Sequence, residues 1–270
     1  MEVISSLQNS RIKNILKLIA KTRERREQGL FVIEGAREIG LALSGQYAPE
    51  SVFVCPALFA KSNYPELLSK LPPTVQPTEV SEAVFGKLAY REGSDGVLAL
   101  ARPKSHRLQD LQLSAKAFII VLETVEKPGN LGAILRTADA AHADAVIVCD
   151  PSTDIYNPNV VRSSVGCLFT VQVATASNAE TLAFLHDRQI RSFAAELQAT
   201  KSCYQADFTQ ASAIIMGTES DGLTDFWLKN ADERIIIPMR GTVDSLNVSV
   251  STAILTFEAM RQRGLTTLQN

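Results

Sequence analysis

Three stretches of the 270-residue sequence combine polar residue types and spacings that could carry chemistry. The first, "EKPGNLGAILRTADAA", sets Arg136 on a predicted helix that is otherwise made largely of small and apolar residues. An arginine in this place either grips a phosphate or a ribose, or is a structural residue that pairs with Asp139 at i+3. Asn130 is placed to cap the start of the same helix.

The second stretch, "IIMGTESDGL", brackets Glu219 and Asp221 between Gly217 and Gly222. The two glycines permit a close approach of the backbone to a ligand, or an unusual turn. Carboxylates at the start of a helix are also common as complements of the helix dipole. Taken alone, this loop favours a structural role.

The third stretch, "IIIPMRGTVDSLNVSVSTAIL", gathers Ser245, Asn247 and Ser249 at the start of a predicted helix. A helix needs one capping side chain, and three short hydrogen-bonding side chains exceed that need. This excess is the most specific functional signal of the three stretches. The helix itself carries an apolar stripe, formed by Val250, Ala253, Ile254, Phe257 and Met260.

Each of the three stretches follows or includes an apolar run that is typical of a buried strand. From Ala117 onward such runs are separated mostly by helical stretches; they are "AFIIVLE", "AVIVC", "FTVQVA", "IRSFAAEL", "AIIMG" and "RIIIP". The pattern predicts an α/β fold with a mostly parallel sheet covered on both faces. Ligands bind beyond the carboxyl ends of the strands in such a sheet, which is where the three stretches lie.

A nucleotide site is the first alternative for the loop at the first stretch. Gly129 and Gly132 supply only G-x-x-G, and Pro128 stands where a phosphate loop would want an N–H. Asp150, at the end of the next strand, is a weak sign of a ribose-binding residue without the full set of glycines. No G-x-x-x-x-G-K-[ST] motif is present, which excludes a phosphate-cradling NTPase loop.

The chain ahead of the sheet forms a separate predicted domain. Short strands and helices alternate over residues 1–105, which predicts a compact α/β domain; polar residues 106–115 predict a linker, and residues 116–270 the second domain. Residues 1–105 hold 14 Lys+Arg against 11 Asp+Glu, whereas residues 106–270 hold 13 against 18. The positive charge is therefore concentrated in the first domain.

Half of that positive charge lies in the run "RIKNILKLIAKTRERR". Its apolar spacing predicts one amphipathic helix that begins at Asn9 or Ser10 and stops at Gly29. A local basic patch is what a phosphate backbone requires, although a solvated helix face is the alternative. The predicted RNA-contacting residues are Arg11, Lys13, Lys17, Arg25 and Arg26.

Composition argues against several other classes. The four cysteines and three histidines are widely spaced, which predicts buried free thiols and no metal site. No apolar run approaches the roughly 20 residues that span a bilayer, and the first residues lack a signal-peptide core. We therefore expect a cytoplasmic protein.

The motifs "NLGAILRTADA", "IIMGTESDGL" and "IPMRGTVDSLNVSVSTAIL" resemble the three successive motifs of the SpoU/TrmH-type RNA ribose methyltransferases of the SPOUT superfamily. The resemblance covers roughly residues 116–265. The segment "NSRIKNILKL…FVIEGAREIGLAL" also resembles, more loosely, the small RNA-binding domain that precedes the catalytic domain in many members.

The resemblance implies methyl transfer from S-adenosylmethionine to a ribose 2′-hydroxyl of rRNA or tRNA, without a metal. It also implies a homodimer and a trefoil knot in the second domain. By motif position, the cofactor-binding residues are Gly217, Ile237 and Leu246. The matching active-site set is Asn130, Arg136, Glu219, Ser245 and Asn247.

Several alternatives remain open within this resemblance. A non-catalytic RNA-binding protein could keep the fold, although the intact Asn130, Arg136, Ser245 and Asn247 argue against it. An enzyme that methylates a base nitrogen is disfavoured by the "SLNVS" motif after "IPM". The two-domain layout favours a 23S-type rRNA substrate over tRNA by resemblance.

Overall fold

The computed structural model describes residues 3–90, 93–151, 153–218, 220–242 and 245–264 of the chain. The longest helix in these ranges has 15 residues. Within the part described, no helix combines the length and apolar composition that crossing a membrane requires.

The contacts of the chain group into two compact units. One consists of Met1–Lys104 with Asp154–Thr170, and the other of Ser105–Thr153 with Val171–Asn270. The segment Asp154–Thr170 thus belongs to the first unit, although the sequence places it inside the second predicted domain. The division into an RNA-binding domain (residues 1–105), a linker (106–115) and a methyltransferase domain (116–270) remains a prediction.

The first unit has a four-stranded sheet in the order β1-β4-β2-β3, antiparallel except for the β2–β3 pair. Three strands lie in the apolar runs "LFVIEG", "SVFVCP" and "GVLALARP", which predict strands, whereas the strand at Pro77–Glu79 was not predicted. The segment "YPELLSKLP", whose pattern predicts a helix, forms only a short 3-10 turn at Leu68–Lys70. The strands are β1 (Phe31–Glu34), β2 (Pro49–Val54), β3 (Pro77–Glu79) and β4 (Val97–Ala101). The helices are α1 (Ser10–Ala20), α2 (Thr22–Gln28), α3 (Ala36–Ser44), α4 (Pro56–Phe59), α5 (Glu82–Leu88) and α7 (Pro158–Ser163).

The predicted basic helix is in fact two helices, broken at Lys21. Asn9 caps α1 as expected, and Gly29 ends α2 in the left-handed conformation. Lys21 between them is extended, with φ of −129°. The break leaves carbonyls at the end of α1, and the Arg25 Nη1 donates hydrogen bonds to two of them, on Leu18 and Ile19. The apolar periodicity ends at Ile19, and the polar residues 21–28 that follow do not reveal the break.

The segment Asp154–Thr170 completes the core of the first unit. Helix α7 packs on β1, and a 3-10 turn at Cys167–Phe169 packs on α3. Tyr156 and Phe169 bring their rings to 4.2 and 6.1 Å from that of Phe31. The buried ion pair between Arg25 Nε and Asp154 Oδ2, at 2.7 Å, ties the same segment to α2.

The second unit has a seven-stranded sheet in the order β7-β6-β5-β10-β8-β11-β9, and every pairing is parallel. This confirms the predicted α/β fold and most of its strands, although the strand predicted at "FTVQVA" begins only at Val173 and the short strand at Lys201–Ser202 was not predicted. The strands are β5 (Phe118–Glu123), β6 (Ala145–Cys149), β7 (Val173–Ala176), β8 (Arg191–Ala195), β9 (Lys201–Ser202), β10 (Ser212–Met216) and β11 (Glu233–Ile236). The helices are α6 (Pro128–Ala140), α8 (Asn178–Asp187), α9 (Asp225–Asn230) and α10 (Val248–Gln262).

The sheet order explains how distant motifs meet. Strands β5 and β10 are neighbours, so the first and second stretches leave the sheet side by side. Helix α10, which carries the third stretch, packs against α6 and β10. Residues at the starts of α6 and α10 are therefore brought to the same edge, beyond the carboxyl ends of the strands.

Candidate active site

Helix α6 places the residues of the first stretch. It begins at Pro128, directly after Lys127, so Asn130 lies inside the first turn. The prediction that Asn130 caps this helix is therefore wrong, because the proline, which has no N–H to satisfy, opens the helix instead. The half-buried amide of Asn130 forms a contact with the third stretch.

Two asparagine side chains join the starts of α6 and α10. Asn247 Nδ2 donates to Asn130 Oδ1 over 3.2 Å. Asn247 Oδ1 accepts from the Ser249 backbone N at 2.9 Å and from Ser249 Oγ at 2.6 Å, which makes Asn247 the N-cap of α10. One end of the amide caps the helix and the other reaches Asn130, so the excess of polar side chains has a use beyond capping.

Arg136 lies exposed on α6, two turns beyond the start of the helix. Its guanidinium forms no ion pair or hydrogen bond with any other residue that the structure describes, so the i+3 pair with Asp139 is not made. A cation without a local partner can take an anionic ligand without first breaking an internal ion pair.

The second stretch folds back on itself after β10. Thr218 and Gly222 exchange backbone hydrogen bonds of 3.0 and 3.2 Å, and Gly222 has a φ of +69°. A Cβ on Gly217 would lie 2.1 Å from the carbonyl carbon of Gly222, so only glycine fits this closed loop. Glu219, which the sequence places in the active site, lies outside the described residues.

The remaining predicted site residues lie between β11 and α10. Ile237 follows β11 and is half-buried, whereas Ser245 and Leu246 precede α10 and are exposed. Leu246 keeps 39% of its surface accessible. The structure therefore brings Asn130 and Asn247 into contact, whereas Gly217 follows β10 and both Ile237 and Leu246 lie on the segment between β11 and α10.

Sequence reasoning missed a buried carboxylate at this edge. Glu123 is the last residue of β5 and is fully buried. It accepts hydrogen bonds from the Thr224 N at 2.7 Å, from the Thr224 Oγ1 at 2.6 Å and from the Asn178 Nδ2 at 2.6 Å. The sequence offers one signal, an acidic residue at the end of an otherwise apolar run, since a charge in a buried strand requires partners.

The end of β8 was also missed. Strand β8 lies between β10 and β11, so Glu196 and Leu197 share the edge with the three stretches. Leu197 is 54% exposed. Because strand order depends on long-range pairing, the sequence alone did not place this strand end near the others.

The cysteines and the metal-binding residue types add no chemistry here. All four cysteines are buried free thiols, as predicted. Cys149 is the last residue of β6, and its thiol faces the Thr181 hydroxyl. Burial raises the pKa of Cys149 to about 12, so its thiol stays protonated and is a poor nucleophile. Across the described ranges, no group of three or more His, Cys, Asp or Glu side chains is arranged to hold a metal ion.

The predicted RNA-contacting residues divide into two kinds. Lys13, Lys17 and Arg26 are exposed, and Arg11 is exposed with its guanidinium carbon 4.7 Å from the centre of the Phe53 ring. Arg25 is different, since only 4% of its side chain is accessible and its guanidinium is held by Asp154, Thr22 and the end of α1. Arg25 is therefore removed from the predicted set, because binding RNA would require breaking these buried contacts.

Comparisons with known proteins agree with this geometry. Residues 117–257 match the SpoU rRNA Methylase family, and residues 9–99 match the MRM3-like substrate binding domain. A curated 23S rRNA (guanosine-2'-O-)-methyltransferase of Pectobacterium atrosepticum is 40% identical over 54% of this chain, and the match spans 61% of that relative's length. An uncharacterized tRNA/rRNA methyltransferase of Synechocystis is 31% identical over 96% of this chain and 94% of its own.

Solved structures agree along the whole chain. The crystal structure of an RNA 2'-O ribose methyltransferase is 40% identical, with a TM-score of 0.83 over 97% of this chain and 99% of that one. An rRNA methyltransferase from Sinorhizobium meliloti, crystallised with AdoMet bound, is 26% identical, with a TM-score of 0.87 over 96% of this chain and 97% of that one.

The parallel sheet and its three strand-end loops define an S-adenosylmethionine-dependent RNA 2′-O-ribose methyltransferase. The chain belongs to the SpoU rRNA methylase family.

The residues present fit S-adenosylmethionine. Gly217 directly follows β10, and a Cβ there would meet the backbone of Gly222 and Leu223, so this glycine lets the loop close on itself at the strand end. Between β11 and α10, the apolar side chains of Ile237 and Leu246 remain accessible, as a nucleoside with an apolar thioether arm requires. S-adenosylmethionine has no pyrophosphate, so the missing third glycine of the first stretch is no obstacle.

Proposed function

We propose that this protein methylates a ribose 2′-hydroxyl of ribosomal RNA, of the 23S type, in the cytoplasm. The observation that carries the proposal is the bond between Asn247 and Asn130, which joins the first and third motifs. Arg136, on the same helix as Asn130, has no ion-pair or hydrogen-bond partner among the described residues. The names of the Pectobacterium and Sinorhizobium relatives support rRNA as the substrate class.

The proposed roles follow from the chemistry of each side chain. S-adenosylmethionine, held by Gly217, Ile237 and Leu246, supplies a methyl group on a sulfonium centre. An arginine is protonated at all working pH values, so Arg136 acts as a cation. It grips the phosphate next to the target ribose and stabilises the negative charge that develops on the 2′-oxygen. The O–CH3 bond forms as the S–CH3 bond breaks, the demethylated thioether leaves, and the hydroxyl proton passes to solvent water.

The asparagines and the two other motif residues position the reacting groups. Asn130 and Asn247 hold the ribose and lock the two helix starts against each other. Ser245 and Glu219 orient the ribose and the surrounding loops. Holding the hydroxyl in line with the methyl group removes much of the entropic barrier, which is the main task left to this protein.

We further propose that the active protein is a homodimer whose two chains share each site. Asn130 and Arg136 are six residues apart on α6, so they point about 120° away from each other around the helix axis. Helix α10 and its approach also leave Leu246, Val250 and Phe257 accessible on one face, at 39%, 47% and 51%. A second chain covering this face would bring its own Arg136 to the Asn130–Asn247 pair.

Two more features belong to the proposal. The chain between β10 and α10 forms the trefoil knot of the SPOUT fold, which the position of β10 between β5 and β8 supports. The exposed Arg11, Lys13, Lys17 and Arg26 of the first unit capture the RNA, which the match to a substrate-binding domain supports.

The test is transfer of a labelled methyl group from S-adenosylmethionine into RNA from a strain that lacks the gene. We expect label in 23S rRNA, at one linkage that becomes resistant to alkali and to nuclease because its 2′-oxygen is blocked. Label found only in tRNA would show that the substrate is tRNA and not rRNA. A label on a base, with the linkage still sensitive, would contradict ribose methylation.

A further inference from the structure

Glu123 links three elements at the carboxyl edge of the second sheet, and none of the three motifs includes it. Its Oε2 accepts from the Thr224 N, and its Oε1 accepts from the Thr224 Oγ1 and from Asn178 Nδ2. Asn178 begins α8 and Thr224 precedes α9. The carboxylate thus fixes both helix starts to the end of β5.

Thr224 is also where the loop after β10 ends. That loop leaves the sheet at Gly217, closes through the Thr218–Gly222 bonds and reaches Thr224 two residues after Gly222. One end of the loop is held by strand β10, and Glu123 holds the other end with two hydrogen bonds. A buried, charge-assisted anchor of this kind fixes a backbone more firmly than a surface contact does.

The contact continues to the single tryptophan of the sequence. Asn178 Nδ2 donates to Glu123, while Asn178 Oδ1 accepts from Trp227 Nε1 at 2.7 Å. Trp227 is fully buried. Because the donor end of the Asn178 amide faces Glu123, the orientation of the amide, and with it the indole hydrogen bond, depends on the carboxylate.

We propose that Glu123 is a positioning residue for the cofactor loop 217–223, and that the Trp227 indole N–H reports the state of this loop. The proposal rests on the proposed function, in which S-adenosylmethionine lies against Gly217. Glu123 acts through Thr224 and does not touch the reacting atoms.

The test is Glu123→Gln. All groups that reach Glu123 are donors, so an amide in either orientation sets its own N–H₂ against a donor. We expect the KM and the Kd for S-adenosylmethionine to rise about tenfold or more, while kcat at saturating cofactor changes less than about threefold. Thr224→Val keeps the backbone N–H and should raise the KM less than Glu123→Gln does. Thr224→Ser keeps the hydroxyl as well and should have the KM of the wild type.

Glu258→Gln is the matched control. Glu258 is also a buried carboxylate in the second unit, and it accepts from Arg261 and Gln262 at 2.8 Å each. It lies in the last turns of α10, and its partners do not belong to the cofactor loop. This variant should lose stability and keep its KM for the cofactor.

A spectroscopic readout does not depend on turnover. The single indole gives one side-chain ¹H–¹⁵N cross-peak, which should shift when S-adenosylmethionine is added to the wild type. In Glu123→Gln the cross-peak should start from a different position, whereas in Glu258→Gln it should stay in place.

The outcomes separate the two proposals. If the wild type binds no S-adenosylmethionine, the proposed function is wrong and this inference is wrong with it. If the wild type binds normally but Glu123→Gln raises the KM no more than Glu258→Gln does, Glu123 has only a structural role. A Glu123→Gln variant that lowers kcat at an unchanged KM would also overturn the inference.

Discussion

Two arginines show what residue type alone does not tell. Arg25 lies in the basic run and is buried, and its guanidinium bonds to Asp154, Leu18 and Thr22 inside the first unit. Arg136 lies among small and apolar residues and is exposed without a partner in the described part of the chain. Helical spacing predicted neither outcome, because the burial of Arg25 depends on distant Asp154 and the pairing of Arg136 with Asp139, which the spacing allows, is not made.

Replacing Arg136 by alanine should abolish catalysis and spare cofactor binding. The proposed role of the guanidinium is to stabilise charge on the ribose oxygen, and losing such a group costs about a hundredfold or more in rate. Single-turnover methyl transfer measures the loss, and calorimetry should give a Kd for S-adenosylmethionine within about twofold of the wild type.

Arg188→Ala is the control for Arg136, because Arg188 is an exposed arginine of the same unit that stacks on Phe184. It should behave like the wild type. Near-normal turnover in Arg136→Ala would refute the proposed role.

Replacing Arg25 by alanine should instead unfold the first unit more easily. The change leaves Asp154 without its cation and uncaps the end of α1, which should lower the free energy of unfolding by about 3 kcal/mol or more. Arg23→Ala, which removes a highly exposed pair with Glu27, should cost less than about 0.5 kcal/mol. Urea unfolding measures both, and equal losses would contradict the buried role of Arg25.

At the scale of elements, α1 presents the basic face that was predicted from the sequence, but the predicted length of the helix was wrong. Lys13 and Lys17 are four residues apart and exposed, so they lie on the same side of the helix. The continuous helix predicted through Lys21 was wrong, since the chain turns there and Arg25 is drawn inward. The proposed RNA surface is therefore α1 and the exposed part of α2, without Arg25.

Reversing the charge of Lys13 and Lys17 together should weaken RNA binding and flatten its salt dependence. Each lost phosphate contact lowers the slope of log K against log salt by about 0.7 to 0.9. Filter binding at several salt concentrations gives the slope. Lys61 and Lys70, two exposed lysines of the same unit, form the matched control pair, and an unchanged slope in the Lys13 and Lys17 variant would reduce α1 to a solvated face.

Helix α10 should lose its partner when its apolar face becomes charged. Phe257 is 51% exposed within one chain, and an aspartate there would be buried against the second chain of the proposed dimer. Sedimentation equilibrium of Phe257→Asp should show a folded monomer. Tyr204→Asp is the control, because Tyr204 is a comparably exposed aromatic residue outside α10. The proposed interface would be contradicted if Phe257→Asp remained dimeric.

At the scale of the molecule, the sequence predicted the strands and the order of the motifs better than their arrangement. Apolar runs identified β5, β6, β8, β10 and β11, because strands buried on both faces must be apolar. The place of β8 between β10 and β11, the contacts of Glu123 with Thr224 and Asn178, and the membership of Asp154–Thr170 in the first unit all come from long-range packing. Glu219 remains a prediction from its motif.

Mixing two inactive variants should restore activity if the chains share each site. Arg136→Ala and Asn247→Ala each spoil a different half of the proposed site. After exchange, about half of the dimers are mixed, and each mixed dimer has one intact site, so about a quarter of wild-type activity should return. Methyl transfer after unfolding and refolding the mixture measures it, and no recovery would show that both residues act within one chain.

The segment Asp154–Thr170 bears on how such a protein could be recombined. The chain passes from one unit to the other after Lys104, after Thr153 and after Thr170, so no single cut separates the two units. A substrate-binding half transplanted from a relative at residue 105 would arrive without Tyr156, which packs on Phe31, and without Asp154, which pairs with Arg25. A working chimera must exchange residues 1–104 and 154–170 together, and a change of RNA target by domain shuffling would need two matched insertions.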